Sequence, residues 1–132
     1  MPLIRISLLK GKSAAYLRAI ADGVHGALVE AYNAPADDRF QVIHQHEREE
    51  FFYDADYLGI HRTDDVVFIQ ITAGNWRDTA TKKALYKAIA ERLSRNPGLR
   101  PEDIVISLLS TQRDEWSFGN GLASYVKDTE AA

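Results

Sequence analysis

The chain contains no cysteine. That excludes disulfides, thiolate metal sites and a cysteine nucleophile, and it fits a reducing, cytoplasmic setting. It also lacks any apolar run near the roughly 18–20 residues that would span a membrane. Its start has no apolar leader, so no signal peptide is expected. Positive charge is scarce relative to negative: 16 Lys and Arg stand against 19 Asp and Glu, for a net charge of −3. The basic residues are scattered and form no nucleic-acid footprint. What remains is ordinary globular material. The 132 residues are 45% hydrophobic and 27% charged, enough for one domain with a real core spanning 1–132.

The second residue is the first informative one. Pro2 follows Met1 and opens an apolar run, Pro2 to Leu9. Cytosolic processing usually removes an initiator Met before a small residue. The expectation is therefore a mature chain beginning with a free proline, whose nitrogen is a secondary amine. An α-amino group has a reference pKa of about 7.7–8.0. It serves near neutral pH as a base, as a nucleophile toward a carbonyl, or, protonated, as an acid. Taken by position alone, the same proline is an unremarkable protector of the terminus.

The rest of the chain reads as one unit written twice. Residues 3–9 form a strand pattern, Ser13 is a helix N-cap candidate, and helical spacing runs from Ala14 to about Tyr32 through Leu17, Ile20, Val24 and Leu28. Pro35 ends that helix, and Arg39 to His46 reads as a second strand. Asp65 to Thr72, Ala80 to Ser94 and Ile104 to Leu109 repeat the sequence of strand, helix and strand, with Asp78 and Thr79 as capping candidates. The offset is about 65 residues, so Ile4 and Ile6 match Ile69 and Ile71, and Asp38 matches Asp103. The halves run about 2–46 and 65–109, and a C-terminal segment covers 110–132. A crossover joins parallel strands. The expected fold is therefore α/β (α+β): two tandem β-α-β units forming a four-stranded sheet with two helices on one face.

Ile4, Ile6, Ile69 and Ile71 are expected under the helices. Arg5, Ser7, Gln41, Gln45, Gln70, Thr72 and Ser107, with Ile43 and Val105, are expected on the other face. A sheet containing parallel strands is rarely left bare on one side, so the missing cover is expected to be another subunit.

Three segments carry a resemblance. Pro35 to His46 includes Asp38-Arg-Phe-Gln-Val42. Asp103 to Leu109 forms the last strand. Asp114 to Gly119 contains Trp116-Ser-Phe-Gly119. With the opening proline, these resemble the tautomerase superfamily, and within it the malonate semialdehyde decarboxylase-like branch, from Pro2 to about Tyr125. The resemblance implies a homotrimer with the proline at the floor of each active site. It also implies small carboxylate-bearing enol or carbonyl substrates, and no metal or organic cofactor. In that branch an aspartate lies near the proline, and Asp38 occupies the matching position. The branch also has Thr-x-Arg-x-Arg after the third strand. Here Thr72 is followed by Ala73, Gly74, Asn75, Trp76 and Arg77, so one arginine remains, one place late.

The candidate site is therefore Pro2 and Asp38 for catalysis, with Arg77, Asn75, Trp116 and Phe118 around the substrate. Asp38 has a competing role as a turn residue. Arg77 reads either as a solvated first-turn residue or as a clamp on a substrate carboxylate. Lys12 and the Gly74–Asn75 amides are weaker anion candidates. Trp116 and Phe118 suit a subunit contact or core edge, and the resemblance implies an apolar wall over Pro2. His44 and His46, at i and i+2, lack a third ligand nearby and read as polar sheet residues. His25 reads as structural, and 49–65 as a loop or short hairpin. Enol–keto tautomerisation of a small 2-oxo acid is the leading reading. Decarboxylation or hydration of a 3-oxo acid such as malonate semialdehyde is second. A non-catalytic trimeric relic is the third.

Overall fold

The computed structural model describes residues 2–127. Met1 and residues 128–132 lie outside them. Strand β1 (Leu3–Leu9) leads into helix α1 (Ala14–Ala31), and β2 (Gln41–His46) returns beside β1. After the connection come β3 (Val67–Gly74), α2 (Thr79–Arg95) and β4 (Ile104–Thr111). The sheet order is β2-β1-β3-β4. Each half is internally parallel, and the halves meet through the antiparallel β1–β3 pair. The repeat holds in register: Ile4 pairs with Gln41 as Ile69 pairs with Ile106.

Both helices start where capping chemistry directs. Ser13 accepts a hydrogen bond from Tyr16 N, and Asp78 from Thr81 N. Their apolar stripes, Ile20, Val24 and Leu28 on α1 and Leu85, Ile89 and Leu93 on α2, are buried with Ile4, Ile6, Ile69 and Ile71 in one cluster. The helices pack closely at Gly23, where an added Cβ would fall 2.7 Å from Leu93 Cδ2. Among the described residues no helix is long and apolar enough to cross a membrane.

Three expectations change. Gln41, Ile43 and Gln45 share the helix face, because parallel partners point the same way and these pair with Ile4, Ile6 and Leu8. Gln41 Nε2 confirms it by donating to Ala21 O of α1 at 2.9 Å. β2 is an edge strand at the rim of the helix layer, so polar side chains there reach water or backbone. The open face instead carries Arg5, Ser7, His44, His46, Phe68 and Ser107, around a hollow of about 560 Å³.

The second change is strand length. β3 starts two residues later than its sequence pattern, since Thr63–Val66 forms a turn, and it and β4 run two residues further, to Gly74 and Thr111. The third is the connection. It makes two single 3-10 turns, Arg48–Glu50 and Tyr57–Gly59, and no hairpin. Phe51 anchors it by stacking on Phe68, with ring centroids 4.6 Å apart. Asp103, fully buried, anchors its other end by accepting from Thr63 N at 2.6 Å and Thr63 Oγ1 at 2.7 Å.

Candidate active site

One end of the sheet gathers the start of β1, the start of β2 and the ends of β3 and β4. Pro2 is buried there. Leu3 pairs with Thr72, so extending the antiparallel register one step sets Pro2 beside Ala73. On its other side Ile4 N donates to Phe40 O at 3.0 Å. Extending that parallel register sets Pro2 across from Arg39, the residue after Asp38. The half-buried Asp38 thus borders the proline end of β1, and its backbone N–H closes a turn onto Pro35 O at 3.1 Å. Its repeat mate Asp103 does structural work at the other end of the molecule.

The C-terminal segment straps across this end. Thr111 Oγ1 donates to Ala73 O at 2.9 Å, and Trp116 Nε1 donates to Thr111 Oγ1 at 2.7 Å. Trp116 and Phe118 stack at 5.2 Å with their planes 2° apart, and Phe118 meets Phe40 of the segment before β2 at 5.4 Å. The strap is closed on itself by Ser124, which gives its N–H to Trp116 O and accepts from Phe118 N. Tyr125 packs edge-on against both Phe118 and Trp76. An aromatic wall therefore runs from the β4 end to the β2 start, bracketing the β1 end that carries Pro2.

The benzo edge of the Trp76 indole lies against Gly74. A Cβ at Gly74 would sit 2.1–2.4 Å from the indole ring atoms, so only glycine admits the ring in this position. Arg77 lies behind it. Its Nη2 donates to Tyr32 O at 2.9 Å, and its guanidinium stands 4.6 Å from the Tyr32 ring centre. Its Nη1 is buried and has no hydrogen-bond partner among the described residues. Arg77 borders a cavity of about 420 Å³ shared with Tyr32, Asn33, Trp76, Asp78 and Thr81. A guanidinium with a buried unused donor is suited to an anion.

Other candidates are committed elsewhere. Asn75 N donates to Thr111 O at 2.9 Å, which removes that amide as an anion donor and leaves its exposed side chain at the rim. Lys12 pairs with Asp65 at the opposite end of β1, about 20 Å from Pro2 by the rise of a strand. Arg39 is held by Asp22 and Gln41. His25 bonds Ala36 O at 2.9 Å, a structural tie. His44 and His46 stack at 6.4 Å on the open sheet face. Among the described residues no group of three or more His, Asp or Glu is placed to hold a metal. Sequence reasoning missed Arg113, whose guanidinium stands 4.2 Å from the Trp76 ring centre. No motif marks it, since it meets Trp76 only through the strap.

A family model described as "Tautomerase enzyme" matches residues 38–119, and a second with the same description matches residues 2–61. The chain belongs to the tautomerase family. The probable tautomerase YusQ of Bacillus subtilis (strain 168) is 43% identical over 127 residues, 96% of this chain and 100% of that protein. A malonate semialdehyde decarboxylase, described as having decarboxylase and hydratase activities, superposes with a TM-score of 0.88 at 32% identity, over 93% of this chain and 95% of its own. A fused 4-OT solved as a symmetric trimer shares the fold, with a TM-score of 0.77 at 17% identity, over 93% and 97% of the two chains. This tautomerase is thus an enzyme of the isomerase type, on the malonate semialdehyde decarboxylase-like branch, with lyase chemistry as the alternative.

Proposed function

We propose that this tautomerase interconverts the enol and keto forms of a small 2-oxo carboxylate, with Pro2 as the acid–base group. The observation that carries the reading is the buried Pro2 at the strand end, bracketed by the Phe40–Phe118–Trp116 wall and by Ala73. Once Met1 is removed, the proline nitrogen is a secondary amine with a lone pair. In the enol, the O–H bond breaks and its proton passes to the amine. The electron pair closes to C=O, and the amine returns a proton to C3, forming C–H. Atoms and charge balance, and no oxidant or cofactor is consumed. An amine with a pKa near working pH suits both transfers. The aromatic wall disfavours the ammonium form by desolvation, whereas a carboxylate such as Asp38 favours it.

Arg77 supplies the anchor, its unpartnered Nη1 taking the substrate carboxylate. Asn75 at the rim and Trp116 and Phe118 over the ring complete the substrate contacts. Decarboxylation or hydration of a 3-oxo acid such as malonate semialdehyde is the second reading. It is favoured by the 32% identical decarboxylase and opposed by Gly74 and Trp76 where the branch pattern has arginines. Assaying phenylenolpyruvate and malonate semialdehyde side by side, in wild type and Pro2→Ala, tests both. Tautomerase turnover should dominate and be mostly lost in Pro2→Ala. Efficient malonate semialdehyde turnover would instead restore the decarboxylase reading.

The chain acts as one domain and assembles as a homotrimer through the open sheet face. Its small carboxylate substrate and lack of cysteine suit the cytoplasm.

A further inference from the structure

Two guanidinia converge on one indole. Arg113 stands 4.2 Å and Arg77 5.6 Å from the Trp76 ring centre. They are not equivalent. Arg77 is half-buried and uses one nitrogen on Tyr32 O. Arg113 is exposed and makes no hydrogen bond or ion pair among the described residues, although Asp114 and Glu115 follow it. The Glu115 carboxylate is already taken by Gln112 N at 2.6 Å. Tyr125, edge-on to Trp76, lies within the field of both cations. Burial raises its pKa, and Arg77 and Arg113 pull it the other way.

The backbone at Arg113 is fixed. It opens a 3-10 turn, Arg113–Glu115, closed at both ends by Gln112 and Glu115. Thr111, just before that turn, is bonded to Asn75 N and Ala73 O, and Trp116, just after it, is bonded to Thr111. The turn is thereby fastened to the end of β3, beside the residue that flanks Pro2.

We propose that Arg113 is a second ligand for the substrate carboxylate, acting with Arg77 across Trp76. The proposal rests on the proline-pocket reading given above. A guanidinium stacked on an aromatic face keeps its N–H donors in the plane of the group, pointing away from the ring. A carboxylate docks at that edge through two parallel hydrogen bonds. Arg113 is thereby a specificity-determining residue for small carboxylates and takes no part in the proton transfer.

The test uses both tryptophans of the chain, Trp76 and Trp116, as reporters. Intrinsic fluorescence is titrated with 3-phenylpropanoate, a carboxylate that has no ketone to enolise, and phenylenolpyruvate kinetics are run alongside. Arg113→Gln should weaken 3-phenylpropanoate binding and raise KM about tenfold or more, with kcat little changed. Arg113→Lys should recover only part of the loss, because an ammonium lacks the planar fork. Pro2→Ala should lose most turnover and leave 3-phenylpropanoate binding intact, which separates this proposal from the proline chemistry. Wild-type affinity and KM in Arg113→Gln would overturn it. So would absence of saturable 3-phenylpropanoate binding by the wild type, or a fall in kcat accompanied by a lowered thermal midpoint in Arg113→Gln. If turnover survives Pro2→Ala while Arg113→Gln binds weakly, the proline reading falls and the Arg113 assignment stands.

Discussion

Pro2 is a catalytic amine only if its nitrogen is free, so its chemistry depends on one peptide bond. Intact mass of the purified protein should lack the initiator methionine. Pro2→Ala should keep the far-UV spectrum and lose most turnover, since a primary amine in a more mobile chain end replaces a fixed secondary one. Wild-type rates in that variant would be fatal to the assignment. Arg77 belongs at the same scale. Removing a charged hydrogen-bonding partner costs roughly 1.5–3 kcal/mol, or about ten- to a hundred-fold in kcat/KM. Arg77→Ala should therefore raise KM for 2-oxo acids, and unchanged kinetics would transfer the anion to another group. Gly74→Ala is the subtler change. Its Cβ would meet the far ring atoms of Trp76 at 2.1–2.4 Å, and a partly exposed indole can swing away. The thermal midpoint should move little, while tryptophan fluorescence shifts and substrate affinity falls.

At the scale of elements, capping and the connection decide stability. Ser13 accepts Tyr16 N at the start of α1, and Ser13→Ala should cost about 1 kcal/mol in urea unfolding. Asp78 does the same for α2, and its hydrogen bonds from the Thr81 side chain and backbone hold its pKa below the ordinary 3.8. A lowered carboxylate pKa means stability present above the unfolded value and lost as pH falls through the folded one. The difference in thermal midpoint between wild type and Asp78→Ala should therefore be full at pH 7 and shrink below about pH 3.8. Asp103 holds the connection by its two bonds from Thr63. Asp103→Ala removes two hydrogen bonds from Thr63 to a buried carboxylate and should cost roughly 1–3 kcal/mol. Faster hydrogen exchange across residues 49–65 would check it, and unchanged exchange there would count against the clamp.

The whole molecule has one finished face and one unfinished face. Helices bury Ile4, Ile6, Ile69 and Ile71, while Val42 and Leu109 stay 41% and 47% exposed on the sheet's other side. Parallel strand pairs, such as β1–β2 and β3–β4, are usually buried on both faces. Sedimentation should give about three chain masses. Placing a charge on the open face, as in Ser107→Glu on β4, should shift the protein toward monomer through desolvation of a carboxylate. A stable wild-type monomer at micromolar concentration would contradict the trimer.

The local pattern carried much of this protein. Helical spacing, Ser13 and Asp78 as caps, Pro35 after α1 and Pro97 after α2, and the repeat of about 65 residues were enough for both β-α-β units, because these rest on contacts between residues near in sequence. The proline at the strand start and the Trp116-Ser-Phe-Gly119 segment pointed to the family in the same way. Other features needed the tertiary structure. The faces of Gln41, Ile43 and Gln45 follow from how β2 registers against β1, and a one-residue change of register reverses every side chain. The burial of Asp103 depends on Thr63, 40 positions away. Arg113 reaches Trp76 only because the strap folds back over the β3 end, and no spacing in the chain encodes a contact made through Thr111 and Ala73. Those are long-range pairings, decided when the sheet assembles and the C-terminal segment closes over it.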